Sequence, residues 1–403
     1  MSETQTIIRL AARGDGVTED GRFVPGATIG DRVSFDGDRV TIEPGSRHVT
    51  PPCPHFSDCG GCQMQHVTEE DYSAFVVDRI ARVLGPLMPA GDDILPVALS
   101  PPRSRRRASL RATRRGGALA LGFNAEGSHR TVDIHQCEIL LPSLFALFAP
   151  LRDLLGKMVP SGQGAGLTLT DSDTGIDMLI ANVEAERLED IQRLTRFAGE
   201  AGLARLSVEG SGGVETIYEA ETPELTMGGV RVALPPAPFL QPTREGEAAL
   251  VAAVREAVGN AESVADLFCG LGTFALPLSR TARVTAADAA GPAVQMLTAA
   301  ARAAGRPLTT SHRDLFRRPL THDELKLFDA VVFDPPRAGA EAQARLLAHS
   351  DVTRIIAVSC NPSTFGRDAR LLAEGGWRIR RLWPVAQFRW SSHVELVAQF
   401  ERS

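Results

Sequence analysis

Val264-Ala265-Asp266-Leu267-Phe268-Cys269-Gly270-Leu271-Gly272-Thr273-Phe274 is the stretch on which the fold turns. A short apolar run carrying one acidic residue meets a turn with two glycines and then an Ala- and Leu-rich segment: strand, tight turn, helix. Outward from it the unit recurs. Val264 to Phe268, Arg283 to Asp288, Phe328 to Asp334 and Arg354 to Ser359 read as strands, with helical segments between them. Such alternation marks a doubly wound parallel sheet, which binds ligands at the carboxyl ends of its strands. The expected class is α/β, with a Rossmann-like domain over 236–403.

A lone G-x-G also occurs in dinucleotide-binding folds. Here Phe274 or Ala275 replaces the third glycine that lets a helix close on a pyrophosphate, and an acidic residue before the loop suits a cation better than a phosphate. Eighteen residues past Gly270, Asp288 ends the next strand, where a carboxylate accepts from ribose hydroxyls. S-adenosylmethionine, with a sulfonium and no phosphate, fits this set.

Ile355-Ile356-Ala357-Val358-Ser359-Cys360-Asn361-Pro362 reads as a strand buried on both faces. Pro362 has no N–H to give a ladder, so the chain leaves the sheet near Asn361 and presents Cys360 at the ligand-binding rim. A thiol there serves as a nucleophile once its pKa is lowered. Alone, such a cysteine reads as a small packed hydrophobe, and its neighbours decide otherwise. Asp334-Pro335-Pro336-Arg337 ends another strand. In amino-group methyltransferases a related Asp-Pro-Pro is followed by an aromatic residue that stacks on the base, and Arg337 stands there instead. Carbon 5 of a pyrimidine attacks no methyl group until something adds to carbon 6, and a thiolate supplies that addition. Alone, Asp334 reads as a carboxylate capping the following turn, and Glu395 as an exposed strand residue.

The 403 residues suffice for two or three domains, and 43% apolar with 23% charged residues is the make-up of an ordinary globular protein. No basic run followed by an apolar core opens the chain, so no signal peptide is expected. The longest apolar run, Ile139 to Leu151, is broken by prolines and too short to span a bilayer. A cytoplasmic protein follows, and nothing demands more than a monomer.

Residues 6 to 45 alternate in short strand-like runs around Gly-containing turns, the pattern of a small antiparallel nucleic-acid-binding barrel. With its Gly14-Asp15-Gly16-Val17 and Val24-Pro25-Gly26 turns it resembles the TRAM domain of RNA-modifying enzymes. Cys53, Cys59 and Cys62, the last two separated by Gly60-Gly61, and a distant Cys137 form a metal-ligand pattern. Four thiolates suit tetrahedral zinc and a cubane iron–sulfur cluster alike, so spacing leaves the metal open. His55, His66 and His135 read as structural neighbours. Between the third and fourth cysteines, Arg103, Arg105, Arg106, Arg107, Arg111, Arg114 and Arg115 crowd into thirteen positions. With no acidic residue among them they read as an RNA-contacting patch on a chain of net charge −6. Ala118 to Phe123 and Thr131 to Ile134 read as two strands. Residues 141 to 235 read as an α+β region, part of a cleft wall, with strands near Leu167–Thr170, Asp177–Asn182, Arg205–Glu209 and Val230–Leu234 and a helix over Ala185–Ala201.

Asp266 to Phe274, Asp334 to Gly339, Ser359-Cys360-Asn361-Pro362 with Arg367-Asp368, and His393-Val394-Glu395 together resemble the motif set of the uracil-5 RNA methyltransferases. The TRAM-like start and four cysteines are similar to the ribosomal-RNA branch of that family, whose members carry a 4Fe-4S cluster. The resemblance spans nearly the whole chain. It implies a TRAM/OB-like barrel over 1–48, a central α+β domain over 49–235 with the cluster and basic patch, and a class I methyltransferase domain over 236–403. It implies cluster ligands Cys53, Cys59, Cys62 and Cys137, and cofactor contacts at Gln241, Phe268, Thr273, Asp288, Asp314 and Asp334. Cys360 matches the family's nucleophile and Glu395 its base. Thr273 stands where relatives often have Asn, and Trp383 to Ser392 is longer than the usual linking sequence. The implied reaction is methylation of carbon 5 of an extruded uridine. The implied target is 23S ribosomal RNA, with a transfer RNA or a non-catalytic RNA-folding role as alternatives.

Overall fold

Strands β1 (Glu3–Leu10), β2 (Gly16–Thr18), β3 (Phe23–Val24), β4 (Arg32–Asp36) and β5 (Arg39–Glu43) open the chain as one antiparallel sheet in the order β3-β2-β1-β4-β5. Ile7, Val24, Ala27 and Val33 fill its small core. The expected antiparallel strands are present, but among the described residues no ladder joins β3 to β5, so the sheet is open rather than a hydrogen-bonded barrel. The computed structural model describes residues 3–183 and 185–402. Met1 and Ser2 of the expected first domain, Glu184 of the second and Ser403 of the third lie outside the described residues.

Helix α1 (Glu69–Leu84) follows the cysteine segment. Thr68 caps it by accepting from the Asp71 amide at 3.2 Å, and Glu69, Glu70 and Asp71 face its positive end. Tyr72, Phe75, Val76, Ile80 and Leu84, spaced to share one face, are buried. They pack with Leu267, Phe333, Ile355 and Leu382, residues of the body formed by 236–403. β6 (Ala98–Leu99) then pairs at the edge of the same body's sheet. Part of the segment 49–235 therefore packs on the body formed by 236–403, because the apolar face of α1 finds its partner there.

The middle sheet, in the order β12-β11-β10-β9-β7-β8, consists of β7 (Arg107–Arg115), β8 (Ala118–Gly122), β9 (Gly164–Asp171), β10 (Ile176–Ala181), β11 (Leu203–Gly210) and β12 (Gly213–Glu219). Helices α2 (Pro142–Ala146), α3 (Phe148–Met158) and α4 (Leu188–Glu200) complete this unit, and Leu110, Leu151, Leu169, Ile180, Leu194 and Leu206 lie in its core. The strands expected in this region are found, with ends displaced by up to three residues.

A two-stranded unit, β13 (Glu224–Met227) and β14 (Val230–Ala233), leads to α5 (Arg244–Val258). The final sheet contains β15 (Ser263–Leu267), β16 (Arg283–Asp288), β17 (Leu308–His312), β18 (Ala330–Phe333), β19 (Arg354–Ser359), β20 (Trp377–Ala386) and β21 (Glu395–Arg402). Its order is β17-β16-β15-β18-β19-β21-β20-β6, parallel from β17 to β19, with β21 antiparallel to both neighbours. Helices α6 (Ala275–Leu278), α7 (Gly291–Ala303), α8 (His322–Leu325), α9 (Glu341–Ala348) and α10 (Pro362–Glu374) make the crossovers. Along β19, Ile355 and Ala357 face one core cluster while Ile356 and Val358 face the other, with α5 on the second side. Each large apolar side chain so buried contributes about 1.5–3 kcal/mol, which holds the carboxyl ends of these strands in register. Among the described residues no helix is long and apolar enough to cross a membrane.

Candidate active site

The carboxyl ends of β15, β16, β18 and β19 meet at one rim. Phe268, just past β15, has φ +63°, a strained choice for a bulky residue, and its amide donates to Ala287 O at 2.8 Å. Gly270 (φ +52°) and Gly272 (φ +94°) continue the turn, and a Cβ on Gly272 would lie 2.5 Å from Leu297 Cδ1. Asp288 stitches the loop from the next strand, its carboxylate accepting from Gly270 N at 2.9 Å and Ala290 N at 2.7 Å. Thr273 sits half-buried in the turn before α6. Asp314 Oδ1 accepts from Phe316 N and Arg317 N at 3.0 and 3.2 Å, and the turn so made sets the Phe316 ring 5.5 Å from that of Phe268.

Asp266, within β15, is fully buried, with the Ala275 backbone amide favouring its ionised form. Burial, then the charge of Asp334, pushes its pKa well up. Asp334 follows β18, and burial, then Asp288, raises it to about 7. Asp266, Asp288 and Asp334, clustered closely enough for their charges to raise the pKa of Asp266 and Asp334, disfavour an anionic ligand and suit a cationic one.

Cys360 lies between β19 and α10, where Asn361 caps the helix by accepting from Ser363 N at 3.1 Å. Asn361 Nδ2 and Thr364 Oγ1 donate to Arg337 O at 2.9 and 3.1 Å, which fastens the Asp334–Gly339 turn beside the thiol. Burial, then the charges of Glu395 and Asp334, pushes the thiol up to about 11, with Arg337 working the other way. The expected lowered pKa is not a property of the free protein: half-buried among carboxylates, the sulfur keeps its proton. Arg337 Nη2 lies 3.2 Å from His393 Nε2.

Glu395 opens β21, 6% exposed; burial, then Asp334, pushes it up to about 8. Taken singly it reads as an exposed strand residue, yet it is enclosed. Gln387 Nε2, just past β20, donates both to Glu395 Oε2 and, at 2.7 Å, to Gln241 Oε1. Sequence reasoning missed Gln387, whose one signal is a polar residue directly after the apolar end of a buried strand. Gln241 is itself positioned by Arg106, whose Nε donates to Gln241 O at 3.0 Å.

Cys53, Cys59, Cys62 and Cys137 line one cavity together with His55, Arg105 and Phe123. Thr131 to Ile134, expected as a strand, runs beside β8 through Val132 N to Phe123 O (2.8 Å) and Ile134 N to Leu121 O (3.1 Å) without a regular ladder, and delivers Cys137. His55 accepts from the His135 amide at 3.0 Å, a structural contact. All four thiols are free, and burial pushes Cys59, Cys62 and Cys137 up, Cys62 to about 12. Among the described residues no group of three or more His, Cys, Asp or Glu is arranged to hold a metal ion.

The seven arginines do not form one patch. Arg106 is 1% exposed and paired with Glu247 at 2.5 Å, Arg103 is paired with Glu138, and Arg114 donates to Gly156 O and Val159 O. Strand alternation along β7 turns Arg111 outward, and Arg115 is exposed at its end.

Residues 307–402 match the family described as tRNA (Uracil-5-)-methyltransferase. An uncharacterized RNA methyltransferase of Zymomonas mobilis is 48% identical over 98% of this chain and 99% of its own length. The 23S rRNA (uracil(1939)-C(5))-methyltransferase RlmD of Edwardsiella ictaluri is 31% identical over 98% of this chain and 95% of its own. The crystal structure of Pyrococcus abyssi tRNA (uracil-54, C5)-methyltransferase in complex with S-adenosyl-L-homocysteine superposes with TM-score 0.80 at 22% identity, over 98% of this chain and 99% of that one, and shows a shared fold. With full-length identity to such relatives and the rim geometry above, the chain belongs to the RNA uracil-5-methyltransferase family.

Proposed function

We propose that this chain methylates carbon 5 of a uridine in RNA, with 23S ribosomal RNA as its target, through a covalent adduct on Cys360. The observation that carries the reading is the meeting of Cys360, Glu395, Asp334 and Arg337 at the sheet rim beside the glycine loop. The 31% identical relative named for 23S rRNA, matched over 95% of its length, supports the ribosomal target. A transfer-RNA uridine is the second reading, favoured by the description of the family matched over 307–402.

Gln241, Phe268, Thr273, Asp288, Asp314 and Asp334 would hold S-adenosylmethionine, which supplies the methyl group when bound. Asp334, raised by burial and by Asp288, suits its sulfonium. Cys360 Sγ, once deprotonated, adds to carbon 6, and the electron pair moves onto the pyrimidine as an enolate, nucleophilic at carbon 5. After methylation Glu395 takes the carbon 5 proton, the double bond reforms, and the thiolate leaves with its electron pair.

The four cysteines would hold a 4Fe-4S cluster. Four half-buried thiols line one cavity, and a cubane cluster accepts four thiolates. The N-terminal sheet would serve as a TRAM-like RNA-binding module, the enzyme acting as a cytoplasmic monomer.

Mapping 5-methyluridine by mass spectrometry in RNA from a deletion strain tests the target: one ribosomal uridine should lose its methyl group. Incubation with 5-fluorouridine RNA and S-adenosylmethionine should leave an adduct on Cys360, and an adduct on any other residue rejects the mechanism.

A further inference from the structure

Gln387 is 2% exposed, and both hydrogens of its amide nitrogen are committed, one to Glu395 Oε2 and one to Gln241 Oε1. In this orientation the amide nitrogen faces both acceptors, which suits an ionised Glu395, while Gln387 Oε1 is buried without a hydrogen-bond partner. Nor has the side chain room to leave. A Cβ on Gly246, in the first turn of α5, would lie 2.5 Å from Gln387 Cβ and 2.6 Å from its Oε1. On the far side, Arg106 holds the Gln241 backbone at 3.0 Å while pairing with Glu247 of the same helix turn.

We propose that Gln387 is a positioning residue that couples the cofactor side of the site, through Gln241, to the carboxylate that removes the carbon 5 proton. The inference rests on the reaction proposed above and deepens it. By donating to Oε2, Gln387 favours the ionised carboxylate and leaves Oε1 for the incoming proton. A ligand that turns the Gln241 side chain shifts the donor shared with Glu395. The base is thereby aimed by the same contact that senses the methyl donor's side of the pocket.

The test uses the full chain with substrate RNA and S-adenosylmethionine. Gln387→Met keeps the length of the side chain and removes the donor. Loss of one hydrogen bond to a charged group should move the limb of adduct breakdown governed by Glu395 to higher pH by about one to two units. At neutral pH the covalent RNA–protein adduct should persist about tenfold longer. Gln387→Asn retains the amide but cannot span both partners. It should move the limb in the same direction, which keeps the test open if the Met variant does not fold. An unshifted limb with wild-type adduct lifetime in a folded variant overturns the role of Gln387. Failure of the wild-type protein to form any adduct would instead reject the proposed reaction.

Discussion

The Met64 amide donates to the Trp390 carbonyl oxygen at 3.0 Å, and so ties the cysteine segment to the loop that ends in Glu395. Gln63 N joins it at 2.8 Å, and Tyr72 Oη donates to Phe388 O and Ser391 O at 3.1 and 3.0 Å. Trp390 sits at φ +59°, a conformation that surrounding contacts must hold in place for a bulky residue. Cys62→Ser or Cys137→Ser should therefore speed amide exchange in residues 387–394 as well as lower bound iron. Mass-spectrometric hydrogen exchange reads the first, and an unchanged loop would uncouple the two sites.

Cys360→Ala should retain S-adenosylmethionine binding within about threefold, since Cys360 is not among the positions proposed to hold it, and should lower 5-methyluridine formation by on the order of 10⁴-fold. Calorimetry and nucleoside mass spectrometry measure the two effects. Methylation at the wild-type rate would end the covalent mechanism.

Glu395 is held near 8 in the folded chain against 4.5 ordinarily, so the folded state binds its proton more tightly than the unfolded state. The resulting stability is complete below about pH 4.5 and is lost as pH rises toward 8. Glu395→Gln should match wild type in thermal denaturation at acid pH and exceed its melting temperature above neutrality. The same variant should accumulate the covalent RNA adduct on denaturing gels, because no carboxylate remains to take the proton.

Arg106→Ala strands Glu247 and frees the Gln241 carbonyl, and should destabilise the chain by about 3–5 kcal/mol in urea denaturation. Arg111→Ala and Arg115→Ala should change stability by no more than about 0.5 kcal/mol. Each should instead weaken RNA binding and lower its salt dependence by about one unit of slope. RNA affinity measured against salt separates the buried arginine from the exposed pair.

The strands that build the rim were legible because burial on both faces leaves continuous apolar runs. Arg283–Asp288 and Arg354–Ser359 are found with their expected ends, and Val264 to Phe268 is displaced by one residue. The edge strand β17, Leu308–His312, is polar and half-solvated, and it left no such run. Helix α1 was readable as neither element nor neighbour of the catalytic sheet, because an amphipathic face does not name the surface it will bury against. The arginine run misled in part: adjacency in sequence says nothing about which side of a strand each guanidinium takes, nor which carboxylate waits for it.

Residue order alone determined the parallel α/β sheet, the thiol at the end of β19, the acidic glycine loop and the four-cysteine set, since each is a local pattern of burial, turn chemistry or spacing. Only the tertiary structure decided that Glu395 is enclosed and linked through Gln387 to Gln241, that the Cys360 thiol is pushed up rather than down, and that the cysteine segment grips Trp390. The physical reason is that desolvation and shared hydrogen bonds depend on which distant segments close over a group, and that is settled by packing.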